Sequence, residues 1–115
     1  MMVRIKYQQH IIAENILVAN NLVSRLIGLM FLKTPPQRSQ GLLLEPCNSI
    51  HTFFMRYSLD VVFLNSQNEV VKIIRNLKPW RMTWIYFRAR KTLEVPAGKL
   101  PASVEPGQVL EVESV

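Results

Sequence analysis

Residues 47–64 read Cys-Asn-Ser-Ile-His-Thr-Phe-Phe-Met-Arg-Tyr-Ser-Leu-Asp-Val-Val-Phe-Leu. Two short apolar runs, 50–55 and 59–64, flank a polar break at Arg56-Tyr57-Ser58. Runs of this length, rich in aromatic and β-branched residues, suit buried strands better than a helix. The pair predicts two adjacent antiparallel strands with residues 56–58 as hairpin or bulge. The stretch also gathers the sole cysteine, the sole aspartate, one of two histidines and three of five phenylalanines. Asp60 falls inside the second run, where a carboxylate needs a partner or a wet edge. Arg56, across the bend, is the expected partner.

The rest of the chain repeats the β pattern. Val3, Ile5 and Tyr7 alternate with polar residues, the period of a half-buried strand. Residues 11–19 predict a partner strand broken or turned at Glu14-Asn15. Leu22, Leu26, Leu29 and Met30 recur at helical spacing, so one short α-helix is expected near residues 21–31. Pro35 and Pro36 end regular structure, and Gly41 is expected to supply an unusual backbone angle where the chain re-enters the core. Leu42–Leu44, Val70–Ile74, Lys91–Val95 and Val109–Val115 read as further strands, and Asn65-Ser-Gln-Asn68 as a tight turn. Residues 76–84 are expected to form a loop packed down by Trp80 and Trp84, with Ile85–Phe87 as a short strand. The fold class is therefore mainly β, barrel-like or sandwich-like and mostly antiparallel, with one short helix. Residues 1–115 form a single domain, since no repeat, low-complexity tract or long linker divides them.

A chain of 115 residues that is 49% hydrophobic is globular rather than disordered. One cysteine excludes an internal disulfide and fits a reducing compartment. With no evident signal peptide, and no apolar run of the ~18 residues that a membrane span needs, the cytoplasm is the expected location and no membrane partner is indicated. The net charge of +6 is concentrated. Lys72, Arg75, Lys78, Arg81, Arg88, Arg90 and Lys91 occur with no acidic residue among them. Such a basic segment is either a solvated face or a surface for nucleic acid or another acidic partner.

Cys47 and His51 invite a nucleophile-base reading, which requires the imidazole or a positive field to activate the thiol. An extended backbone between them gives their side chains no reason to meet, so no catalytic residue is assigned. A zinc site needs three or four protein ligands, and His10, Cys47, His51, Met55 and Asp60 lack the close pairs that build one. No metal or cofactor is implied, and the phosphate-loop and dinucleotide fingerprints are absent. Trp80, Trp84, Tyr86 and Phe87 interleave with Arg81, Arg88 and Arg90. Aromatic and cationic side chains so mixed can stack bases and neutralise phosphates, or equally form the seam of a β core.

Several phrases together resemble the DUF192 family of small bacterial and archaeal proteins. They are Gly28-Leu-Met-Phe31, Gly41-Leu-Leu-Leu44, Pro46-Cys-Asn-Ser-Ile-His-Thr-Phe-Phe-Met55, Leu59-Asp-Val-Val-Phe-Leu64, Lys78-Pro-Trp-Arg81 and Leu93-Glu-Val-Pro-Ala-Gly98. The resemblance spans residues 16–114. It implies a compact, mostly β domain with a short helix, and implies no activity, cofactor or substrate. Asn65-Ser-Gln-Asn68 stands where the family often has Asp-X-X-Gly, and Gly107-Gln108 where Gly-Asp is common.

The function is thus unknown from sequence. The leading reading is a non-catalytic domain that binds a small molecule or an acidic partner in a cleft beside residues 47–60. Arg56, Asp60, His51, Trp80 and Arg81 are its candidate ligand-binding residues. An enzyme using the same cleft, and a single-stranded nucleic-acid binder using residues 78–91, are the alternatives. A concave pocket joining Arg56 and Asp60 would favour the first two, and a basic face with exposed Trp80 or Trp84 the third. The oligomeric state is open.

Overall fold

The computed structural model describes residues 2–19, 41–53 and 55–115. Among these described residues seven strands form one mixed sheet: β1 Met2–Tyr7, β2 His10–Ala19, β3 Gly41–Leu44, β4 Leu59–Leu64, β5 Val70–Leu77, β6 Lys91–Pro96 and β7 Glu111–Ser114. Their order is β5-β4-β6-β3-β2-β1-β7. Every neighbouring pair is antiparallel except β2–β3, whose parallel pairing is set by Leu17 opposite Leu42. The helix expected near residues 21–31 lies outside the described residues.

β4 and β6 are the centre. β4 is buried along its whole length, as a near-continuous apolar run demands when both faces of a sheet are covered. Val62 and Leu64 enter one core with Ile5, Ile16, Leu43, Leu93 and Val95. Leu59, Val61 and Phe63 enter a second, with Leu42, Leu44, Met55 and Ala89. The one-residue alternation of a strand makes this division. Complete burial of a side chain the size of Phe63 is worth roughly 1.5–3 kcal/mol.

The first core is closed by the chain after β6, through Leu100, Val104 and Leu110. Arg75 on β5 holds this loop by donating to the carbonyls of Leu100, Pro101 and Val104 at 2.9–3.3 Å. Farther along, Val70 N–H donates to the Gln108 carbonyl, and Gly107 and Leu110 N–H donate back to Val70 and Asn68. Residues 107–110 therefore pair with the start of β5, and the same segment continues as β7 against β1.

Several local expectations are met. The turn at 65–68 is an Asx arrangement in which Asn65 Oδ1 accepts from the N–H groups of Gln67 and Glu69. Others are corrected. Glu14-Asn15 does not break β2. Asn15 adopts φ 53°, and the β1–β2 register shifts there, so the strand continues through an irregularity. Gly41 is not needed for an unusual angle. A Cβ at this position would overlap the carbonyl oxygen of Glu94 and approach Val95 Cγ1 to 2.9 Å, so close packing of β3 on β6 is what requires glycine.

Candidate functional site

Residues 50–52 do not pair with β4 as the two apolar runs predict. They pair instead with residues 80–83, far along the chain. Thr52 N–H donates to the Arg81 carbonyl at 2.8 Å, Trp80 N–H to Thr52 at 3.0 Å, Thr83 N–H to Ile50 at 2.9 Å and Tyr86 N–H to Asn48 at 2.9 Å. His51 and Met82 form an antiparallel bridge. The result is a two-stranded ribbon of 48–53 against 80–86. Ile85–Phe87 is turn and irregular chain, not the expected strand.

Two threonines staple this ribbon from its inner side. Thr52 is wholly buried. Its Oγ1 donates to the Lys78 carbonyl at 2.7 Å and accepts from Arg81 N–H at 2.9 Å. Thr83 Oγ1 accepts from Ile50 N–H at 3.0 Å. Ile50 and Tyr86 seat the ribbon on the second core, where the Tyr86 ring lies 4.7 Å from that of Phe63. Thr92 adds a donor to the Cys47 carbonyl, so the entry to the ribbon is fixed to β6.

With Ile50 and Thr52 turned inward, strand alternation turns His51 and Phe53 outward. Trp80, Met82 and Trp84 share that outward side by the His51–Met82 register. The rings of His51 and Phe53 are 4.8 Å apart, and Phe53 and Trp80 6.0 Å apart with planes 27° from parallel. Trp80 holds φ at 64°, a left-handed backbone that a bulky side chain rarely adopts. Its N–H bond to Thr52 maintains it. Such strain is retained where the surrounding structure over-determines it, often at functional sites.

The expected packed-down loop is therefore overturned. Trp80, Met82, Trp84, Ile85 and Phe87 are all exposed, Trp84 and Phe87 to 82%. Lone exposed apolar side chains need no explanation, but five within eight residues form a patch that does. Lys78, Arg81, Arg88 and Arg90 are exposed around it. Arg88 only grazes Glu69, at 4.0 Å, and among the described residues no acidic side chain lies within ion-pair distance of Lys78, Arg81 or Arg90.

The sequence-derived candidates separate into two places. His51, Trp80 and Arg81 come together on the ribbon. Asp60 does not join them. It is 3% exposed, and its Oδ1 accepts from Asn76 N–H at 2.9 Å while Oδ2 accepts from Gly98 at 2.9 Å and Leu100 at 3.3 Å. Arg56 is exposed on the bend, and the expected Arg56–Asp60 ion pair is not formed. Three backbone donors satisfy the carboxylate instead, tying β4 to the end of β5 and to the loop over the first core. The Cys47 thiol donates to the Ser49 carbonyl at 3.2 Å, not to His51. Among the described residues no three His, Cys, Asp or Glu side chains cluster as metal ligands.

Sequence reasoning missed Thr52, whose hydroxyl partners lie 26 and 29 residues away. It also missed Tyr57. The Tyr57 hydroxyl is buried without a hydrogen-bond partner beside the second core. Burial, and then the charge of Glu94, push its pKa above the ordinary tyrosine value. Nothing local in Arg56-Tyr57-Ser58 signals this.

The architecture is thus that of a small mixed-sheet protein carrying an exposed aromatic ribbon. The sequence profile of DUF192, described as "Uncharacterized ACR", matches residues 3–112, and the chain belongs to that family. It is similar to UPF0127 protein PF1050 of Pyrococcus furiosus, 43% identical over 96 residues that cover 81% of this chain and 82% of the relative. It is also similar to UPF0127 protein PH1112 of Pyrococcus horikoshii, 40% identical over 94 residues, 77% of each chain. Two solved structures share the fold. One is a protein of unknown function from Novosphingobium aromaticivorans, with TM-score 0.75 and 17% identity, covering 96% of this chain and 84% of that one. The other is described as a putative transcription regulator from Sinorhizobium meliloti, with TM-score 0.74 and 24% identity, covering 96% and 92%. Among the described residues no helix is long and apolar enough to cross a membrane.

Proposed function

We propose that this chain is a non-catalytic binding domain, and that its partner docks on the outward face of the 48–53/80–86 ribbon rather than in a cleft beside residues 47–60. The observation that carries the reading is the exposed row of Trp80, Met82 and Trp84, with Ile85 and Phe87 beyond it, inside a rim of Lys78, Arg81, Arg88 and Arg90. A ribbon tied by Thr52 and Thr83 presents that face already ordered, so binding forfeits little conformational entropy. The groups that an enzyme would use are engaged apart from one another: the Cys47 thiol with a carbonyl, the His51 ring with Phe53, and Asp60 with three amides. The sheet behind the ribbon reads as barrel-like, because residues 107–114 bridge β5 and β1, and residues 1–115 act as one domain. Its lone thiol suits the cytoplasm.

The partner is anionic. No acidic residue occurs from 70 to 93, so the rim presents one sign of charge. The test is a titration of intrinsic tryptophan fluorescence with three anionic probes: heparin, single-stranded oligonucleotide and phosphatidylglycerol vesicles. At least one is expected to shift the emission of the parent, and to do so more weakly with an Arg88→Glu, Arg90→Glu double variant, which keeps both tryptophans. Silence with all three would remove the reading.

A further inference from the structure

We infer that the anionic partner is a single-stranded nucleic acid, whose bases stack on the outward rings while its phosphates follow the cationic rim; this rests on the docking face proposed above. The composition of that face carries the inference. Four of its side chains, His51, Phe53, Trp80 and Trp84, are rings. Three of them form a series with 4.8 Å and 6.0 Å between neighbouring centroids and tilts of 31° and 27°. His51 and Trp80 are packed on Phe53 and so held in place, and Trp84 beside them, 82% exposed, offers its π-face to a planar group. Base–aromatic stacking tolerates any sequence, because every base has such a face.

The cations accompany the rings. Arg88 follows Phe87 directly and Arg90 lies two residues on, while Arg81, which strand alternation turns away from Trp80 and Met82, is exposed beside the face. A duplex hides its base faces, so the rings call for a single strand. A bilayer would accept the same charges. It would also require His51, in the middle of the face, to enter hydrocarbon, where an ionisable side chain is expensive. A second copy of the chain would bring its own four rim cations against these four, and like charges oppose that contact. A folded acidic protein would meet the charge but has no particular use for a stacked ring series.

The strained residue belongs to the same account. Trp80 ends the ring series, and its backbone is locked at φ 64° by Thr52, which itself lies wholly buried beneath the face. The indole is thereby fixed before any base arrives.

The test uses the full chain and fluorescein-labelled oligothymidylate and oligouridylate of roughly 12 nucleotides, within the range of sites built this way. Anisotropy is compared with an abasic strand of the same length, a duplex and phosphatidylglycerol vesicles. The bases are expected to matter, with the abasic strand and the duplex binding more weakly than either single strand. If four cations each engage a phosphate, affinity falls roughly 50-fold between about 50 and 200 mM salt. Trp84→Ala is expected to weaken binding roughly 5- to 150-fold. Ile11→Ala, at an exposed apolar position on β2, serves as the control and leaves it unchanged. Melting curves of both variants establish that they fold. An abasic strand that binds as tightly as oligothymidylate overturns the inference, as does equal weakening by Ile11→Ala. Vesicle or heparin binding without strand binding overturns it too, yet leaves the docking face intact. No response to any probe removes both. Tighter binding of either single strand supports the proposal.

Discussion

Asp60 and Thr52 do the same work on opposite sides of one bend, and the results differ. Each is a buried polar side chain that joins its own strand to backbone groups remote in sequence. Asp60 reaches Asn76, Gly98 and Leu100, and the loop it anchors closes the first core through the buried Leu100. Thr52 reaches Lys78 and Arg81, and what it holds is exposed: Trp80, Met82 and Trp84 project from the ribbon it staples. A buried polar group is thus no marker of a site in itself. What distinguishes the two halves of residues 47–64 is the surface that each set of hydrogen bonds leaves facing solvent.

Substitutions that separate stability from binding test this contrast. Asp60→Ala has the largest expected effect. It strands three backbone donors around a charge-sized gap and should destabilise by about 3–5 kcal/mol. Asp60→Asn should not restore stability, because its amide nitrogen must face a backbone N–H. A urea midpoint for Asp60→Ala equal to the parent's would break the comparison from the structural side.

Thr52→Val comes next. It keeps the shape and removes the hydroxyl, leaving Arg81 N–H and the Lys78 carbonyl unsatisfied on that side, at about 1–3 kcal/mol. The loss should be local. Hydrogen exchange is expected to speed at Arg81 and Trp80 while β4 and β6 keep their protection. Uniform loss of protection across the sheet would show that the ribbon is no separate unit.

Tyr57→Phe is expected to act the other way, and weakly. Removing a buried hydroxyl that has no partner should raise the urea midpoint slightly at neutral pH. The phenol is neutral in both states there. Because its folded pKa is raised, the unfolded chain loses the proton first once pH exceeds about 10, and stability falls as pH rises from that point to the folded value. The phenylalanine variant escapes this loss, so its advantage should widen above that pH. A lower midpoint at neutral pH would mean that the hydroxyl has a role in stability.

Trp84→Ala should move stability least, by less than about 0.5 kcal/mol, since the side chain is 82% exposed. Its expected effect is on binding alone. A cooperative loss of stability would make the ribbon part of the core and undo the contrast with Asp60.

The strands were legible in the sequence because they depend on local pattern. The six-residue run of β4 and the alternation in β1 each carry their own period. The 65–68 turn was legible for the same reason, since Asn65 bonds to residues two and four positions on. The helix expected near residues 21–31 lies outside the described residues and adds nothing either way. For the site, the aromatic-basic mixture of 78–91 was visible, but whether it covered the core or faced solvent was not. Alternation establishes that neighbours point to opposite sides and leaves open which side is wet.

What the sequence by itself determined is a mainly β chain with Asp60 in need of partners, because a buried carboxylate demands hydrogen bonds wherever it lies. Only the tertiary structure decided which partners. It exchanged the nearby Arg56 for amides 16 to 40 residues away, and paired residues 48–53 with 80–86 instead of with β4. The physical reason is that both choices are settled between segments distant in the chain. The ribbon's outward face exists only after Thr52 finds Lys78 and Arg81 across 26 and 29 residues.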